Sequence, residues 1–250
     1  MVKEKRTVAV LFDLEDTLVQ TPWEDRQHVL EFRRKTKEKL IELGIPPSLL
    51  EGVERATIMR NKSIEYIEKN MTKADAKKIY QEMEKFLKRY ELYSAKNSKL
   101  FRETIPTLEK IKELGIKIGL VTNTSREAVN TVFQLHGLKR YFDVVITREN
   151  VKKLKPDPEG VLLAVKKLGA KSFFMVGDLV HDALAANGAN GTSITVKRST
   201  ETTFDFHTDY FVQSLSEIPT IIQTATKTMT RRAEFKCLEW RRLAKTTNNA

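Results

Sequence analysis

The sequence predicts an α/β protein: a doubly wound parallel sheet interrupted by an all-helical insertion. Three observations carry this expectation. Val8–Phe12 is a short apolar run bounded by charge, the pattern of a strand buried on both faces. From residue 100 onward, strand-like and helix-like segments alternate, as in βαβ units. Between them, residues 24–96 contain no comparable apolar run and only two glycines, Gly44 and Gly52.

The first strand ends in three carboxylates within four residues, Asp13, Glu15 and Asp16. In the segment 24–96, Val29, Phe32, Thr36, Leu40 and Leu43 share one helical face. The stretch "LGIPPSLLEG" closes that helix and predicts the start of another, with Ser48 as its cap. Thr72 stands three residues before Asp75, a capping-box-like pattern that opens a helix carrying Ile79, Met83, Phe86 and Tyr90. The expectation is about four helices. Then follow a helix ending at Gly115, a strand "IKIGLVTN", a helix closed by Gly137 and a strand "FDVVIT". A helix to Gly169, a strand "SFFMVGD", a short helix "HDALAANGAN" and strands "TSITV" and "TDYFVQ" complete the core. The expected division is a core of residues 1–20 and 97–226, a helical unit over 21–96, and a basic helix or tail over 227–250.

Length and composition set limits. A chain of 250 residues suits one core domain with a smaller inserted unit. No apolar run approaches the roughly 20 residues needed to cross a bilayer, so no membrane partner is expected. The N-terminus shows no signal-peptide pattern, and the single cysteine, Cys237, fits a reducing compartment. The expected location is the cytoplasm. The net charge is +11, and the last 24 residues carry seven basic and two acidic groups of it. That tail could meet an acidic partner, but no specific nucleic-acid partner is expected.

In doubly wound sheets, ligands bind beyond the carboxyl ends of the strands. Asp13, Thr122, Asn123 and Asp178 all fall at predicted strand ends, and Asp182 falls one helical turn after Asp178. Clustered carboxylates become tolerable around a divalent cation, and oxygen ligands suit Mg²⁺. Lys155 precedes Pro156, which biases it toward an extended loop from which it can reach the carboxylates. A metal, a cation, a hydroxyl and a carboxylate nucleophile make a phosphoryl-transfer site. His181, between the two aspartates, is not read as a ligand. Arg60 and Asn61 are read as a solvated pair, or one internal to the insertion, rather than as substrate readers.

Four motifs occur in order: "DLEDTL", "GLVTN", "KLKPDPEG" and "VGDLVHDALAANGANG". With them the sequence resembles the haloacid dehalogenase-like hydrolases, of the phosphatase type with a helical cap (phosphoglycolate phosphatase-like). The resemblance covers about residues 6–23 and 97–222. It implies a Rossmann-like core, a helical cap over the crevice and a Mg²⁺-dependent phosphatase acting on a small phosphorylated metabolite. It further implies that Asp13 attacks phosphorus, that Glu15 is the general acid/base, and that Thr122 holds a phosphoryl oxygen. Lys155 would offset charge on nucleophile and phosphate. Asp13, Asp178, the backbone carbonyl of Glu15 and Asp182 would hold Mg²⁺.

Two positions depart from the family's usual pattern. Glu15 stands where aspartate is common, one methylene longer. Asp16 stands where glycine is common, and aspartate is among the residues that tolerate a left-handed backbone. Competing readings are a phosphomutase of the same fold and a non-catalytic protein that binds a phosphorylated ligand. True dehalogenase chemistry needs no metal, and the retained Asp178 and Asp182 count against it.

Overall fold

A computed structural model describes residues 7–22, 26–198 and 207–227. Its strands are β1 (Val8–Phe12), β2 (Val19–Gln20), β3 (Lys99–Leu100), β4 (Lys117–Val121), β5 (Val144–Ile146), β6 (Ser172–Gly177), β7 (Thr192–Val196) and β8 (Tyr210–Val212). Its α-helices are α1 (Arg26–Glu42), α2 (Ala56–Asn70), α3 (Lys73–Lys96), α4 (Thr104–Glu113), α5 (Arg126–His136), α6 (Glu159–Leu168) and α7 (Val180–Gly188). A further helix runs over 218–227. The tail helix expected over 227–250 lies outside the described residues after Lys227.

Six strands form one sheet in the order β5-β4-β1-β6-β7-β8, and every neighbouring pair is parallel. The chain builds outward from β1 on one side and then returns to build on the other. The reversal point therefore lies between β1 and β6, where open α/β sheets leave a crevice at their carboxyl edge. Alternation along β1 divides the core: Val8, Val10 and Phe12 join one buried cluster with residues of α5, and Ala9 and Leu11 join another with residues of α6 and α7. Each fully buried Leu or Phe contributes about 1.5–3 kcal/mol.

The insertion leaves and re-enters through a two-stranded antiparallel ribbon, β2 with β3, pairing Val19 with Leu100 and Gln20 with Lys99. Within the insertion, Leu40, Ile45, Leu50, Met59, Ile64, Ile67, Met83 and Leu87 form a cluster of their own. Its described residues contain three α-helices rather than about four, because Pro47–Leu50 makes only a 3₁₀ turn. Ser48 is not a cap: that turn begins at Pro46 without a side-chain cap and stops at Glu51, whose backbone is extended, before Gly52 with φ 67°. Thr72 does cap α3, accepting from the Asp75 N–H at 3.2 Å and donating to its carboxylate at 2.7 Å. Gly115 and Gly137 end their helices with φ of 69° and 67°, the left-handed region that favours glycine.

Close packing leaves one turn with no room for a side chain. A Cβ on Gly191, just before β7, would lie 2.1 Å from the ring of Phe173. Gly191→Ala should therefore destabilise the protein by about 1–3 kcal/mol, read as a lower urea midpoint at unchanged m-value. An unchanged midpoint would contradict the packing.

Candidate active site

The sheet delivers its polar residues side by side. The Asp13 N–H donates to the Val176 carbonyl at 2.9 Å, extending the β1–β6 pairing one residue past β1. Asp13 and Asp178 thus emerge from adjacent strands, as expected if the strand before Asp178 neighbours the first. The Thr122 N–H likewise continues β4 onto the Ile146 carbonyl at 3.0 Å. Asp182 lies in the first turn of α7, and Gly177 makes space for it: a Cβ there would fall 2.2 Å from the Asp182 carboxyl group.

Lys155 reaches this edge from the loop between β5 and α6. Its ammonium donates to Asp13 Oδ1 at 2.7 Å, to Asp182 Oδ1 at 2.6 Å and to the Val121 carbonyl at 2.8 Å. All three donor hydrogens are used. Burial alone would lower its pKa, but Asp13 and Asp182 outweigh that and hold the charge on the nitrogen. Burial raises Asp13 even against the attraction of Lys155. Asp178 lies well above the usual carboxylate range, through burial and the charges of Asp182 and Asp13, and its only side-chain donor among the described residues is the Thr17 hydroxyl at 3.2 Å.

Asp13, Asp178 and Asp182 each bring one ligand oxygen within 4.8 Å of the others. Three carboxylates against one ammonium leave an excess of two negative charges if all are ionised. Hard oxygens with that excess fit a divalent cation, which would draw the raised pKa values of Asp13 and Asp178 down.

Glu15 points elsewhere. Its carboxyl oxygens accept from the Ser94 hydroxyl on α3 at 3.1 Å and from the Thr124 hydroxyl at 3.0 Å. Burial, then the charges of Glu91, Asp16 and Asp13, push it up to about 8. Asp16 adopts φ 53°, as its residue type allows, and its carboxylate accepts from the Thr21 N–H and hydroxyl at 2.9 and 3.0 Å. The Thr122 side-chain oxygen accepts from the Thr124 N–H at 3.2 Å. The Asn123 amide is engaged at both ends by the Lys155 backbone, at 2.9 and 3.1 Å. His181 borders the cavity, and burial lowers it to about 4, so it is neutral at pH 7.

These groups open into a cavity of about 310 Å³. The insertion contributes Phe32, Arg33, Arg55 and Thr57 to its wall. The Arg55 guanidinium is half-buried and makes no hydrogen bond or ion pair among the described residues. Burial and Arg33 lower its pKa, while Asp178 and Asp182 act the other way.

Some residues escaped the sequence reading. Arg198 donates to the Asp16 and Thr17 carbonyls at 3.2 and 2.5 Å, pairs with Glu103 at 2.6 Å and lies over the Phe101 ring. It ties down the loop after β1, and nothing local marks it. Arg60 and Asn61 are not simply solvated or internal to the insertion. Arg60 pairs with Glu84 within it but also donates to the Lys152 carbonyl at 3.1 Å, and Asn61 bonds the backbone of Leu154.

The family of haloacid dehalogenase-like hydrolases matches residues 7–190, and the chain belongs to it. The pyrophosphatase PpaX of Bacillus velezensis is 36% identical over 118 residues, 45% of this chain and 54% of that protein. The chain thus matches little more than half the length of that relative. The PpaX relative from Caldanaerobacter subterraneus subsp. tengcongensis is 30% identical over 227 residues, 87% of this chain and 96% of the relative. Among solved structures, a HAD phosphatase from Thermococcus onnurineus aligns with TM-score 0.53 and 27% identity, covering 86% of this chain and 98% of that one. No helix among the described residues is long and apolar enough to cross a membrane.

Removing the ammonium would leave Asp13 and Asp182 buried without their cation. Lys155→Met should cost about 3–5 kcal/mol of stability in chelator-containing buffer, measured by urea denaturation. A loss below about 1 kcal/mol, the scale of an exposed pair, would contradict a buried ionic junction.

Proposed function

We propose that the chain is a Mg²⁺-dependent phosphohydrolase acting on small phosphate compounds through an aspartyl-phosphate. The observation that supports this most is the Lys155 junction beside Asp178, a nucleophile-bearing cluster with an excess of negative charge at the mouth of β1 and β6. The phosphomonoester reading from sequence broadens here to include inorganic pyrophosphate. Two observations favour small anionic substrates: the relatives named pyrophosphatase, and Arg55 on the wall facing the carboxylates, unpaired among the described residues. In this reading residues 21–96 act as the cap and residues 1–20 with 97–226 as the catalytic core.

Asp13 attacks phosphorus as the bond to the leaving oxygen breaks, and Glu15 delivers its proton to that oxygen. Glu15 then takes a proton from a water that attacks phosphorus, and Asp13 is freed. Lys155 offsets charge on Asp13 and the phosphoryl oxygens, and the Thr122 hydroxyl holds one of those oxygens. Asp13, Asp178 and Asp182, with the Glu15 carbonyl, would hold Mg²⁺, which when bound supplies charge stabilisation to the transferring group.

The test is phosphate release from pyrophosphate and from an aryl phosphate, with Mg²⁺ or with chelator. Wild type should release phosphate only with the metal, and Asp13→Asn should lose at least about 10³-fold in kcat. Turnover that survives Asp13→Asn or metal removal would overturn the reading. Arg55→Ala should raise KM for pyrophosphate more than for the aryl phosphate, and an equal effect on both would remove Arg55 from substrate selection.

A further inference from the structure

Two asparagines grip consecutive residues of the lysine loop in the same way. The Asn61 amide donates to the Leu154 carbonyl at 2.8 Å and accepts from the Leu154 N–H at 3.0 Å. The Asn123 amide does the same to Lys155, at 3.1 and 2.9 Å. Asn123 comes from the end of β4, so one half of the grip belongs to the sheet. Asn61 comes from α2, so the other half belongs to the insertion.

The rest of α2 supports this contact. Asn61, Glu65 and Glu68 are spaced along one helical face. Glu65 pairs with Lys153 at 2.7 Å and Glu68 with Lys152 at 3.1 Å, while Arg60 donates to the Lys152 carbonyl at 3.1 Å. Arg60 is itself held by Glu84 of α3 at 2.9 Å. Glu84 also pairs with buried Arg148, which pairs with Glu91, and Glu91 accepts from the Ser125 N–H at 3.1 Å. One stripe of the insertion therefore lies along residues 152–154, immediately before Lys155.

These contacts differ in weight. The Glu65 and Glu68 pairs are exposed, and such pairs contribute little. Leu154 is 2% exposed, so water cannot readily replace a partner of its peptide groups. Loss of Asn61 leaves the Leu154 N–H unpaired, while the carbonyl keeps its bond from the Asp157 N–H at 3.0 Å.

We infer that Asn61 is a positioning residue that makes the placement of Lys155 depend on docking of the helical insertion. With the insertion docked, the loop is gripped from both sides and the ammonium is aimed at Asp13 and Asp182. With it displaced, the Asn61 half is lost and the core-side holds remain: Asn123 on Lys155, Glu159 on the Lys152 and Lys153 N–H groups, and the Asp157 N–H on the Leu154 carbonyl. Closure of the insertion over the cavity and completion of the charged cluster are thereby one event. The inference rests on the reading of Lys155 as part of a phosphohydrolase site.

The experiment uses the full chain with Mg²⁺ and an aryl phosphate or pyrophosphate, whichever wild type hydrolyses. It records kcat, KM, the urea midpoint and amide hydrogen exchange at Leu154 and Lys155. Asn61→Ala should lower kcat about 10- to 100-fold and change KM less than about threefold. Its Leu154 amide should exchange at least about tenfold faster, while β1 and β6 keep their protection. A kcat within about twofold of wild type would overturn the inference. So would a kcat loss accompanied by uniformly faster exchange, the mark of a purely structural role. If Asn61→Ala does not fold, Asn61→Asp keeps the shape and the acceptor but removes the donor to Leu154. It should still lose several-fold in kcat, and an unchanged kcat would overturn the inference. If wild type hydrolyses neither compound, the phosphohydrolase reading is what fails. The exchange result then decides alone: local loss of protection at Leu154 supports the grip, and unchanged protection overturns it.

Discussion

The Lys155 ammonium spends its three hydrogens on Asp13, Asp182 and the Val121 carbonyl, and the arrangement of the site depends on that junction. It joins four parts of the chain: the end of β1, the end of β4, the loop before α6 and the first turn of α7. Each carboxylate alone would be costly at a buried strand end. Lys155 offsets part of the charge and leaves an excess of the sign and size that a divalent cation answers. The reversal of strand order between β1 and β6 makes this possible, because it sets Asp13 beside Asp178 with no helix between them.

The insertion extends the same logic. It leaves and returns through the short ribbon of β2 and β3, and Arg198 clamps the loop after β1 that leads into that ribbon. Its helices then contact the site at separate points: Ser94 on Glu15, Arg55 in the cavity wall, and Asn61 on the loop of Lys155. A charged network through Arg60, Glu84, Arg148 and Glu91 also crosses the seam. Buried ionic networks add little stability relative to apolar packing, and Arg148 Nε and Nη2 have no hydrogen-bond partner among the described residues.

Much of the sheet and the carboxylate cluster was legible in the sequence, because those signals are local. A strand end places its polar residue directly after an apolar run, as Asp13 and Asp178 show, and Asp16 tolerates the left-handed backbone it adopts, as its residue type allows. The rest depends on contacts between distant segments. Asn61 meets Leu154 across 93 positions and Arg198 meets Asp16 across 182, and neither spacing leaves a pattern along the chain. The ribbon strands are two residues each, too short for any periodicity. The helix expected after Pro46 stops after one 3₁₀ turn, where Glu51 is extended and Gly52 takes φ 67°.

The central claim is that Asp13, Asp178 and Asp182, balanced by Lys155, form one divalent-cation site. Calorimetric titration of Mg²⁺ into wild type and into Asp178→Asn tests it without reference to any substrate. The account predicts one bound ion per wild-type chain and at least tenfold weaker binding after the substitution, the usual scale for losing a charged ligand group. No binding to folded wild type, or equal binding to both proteins, would contradict it.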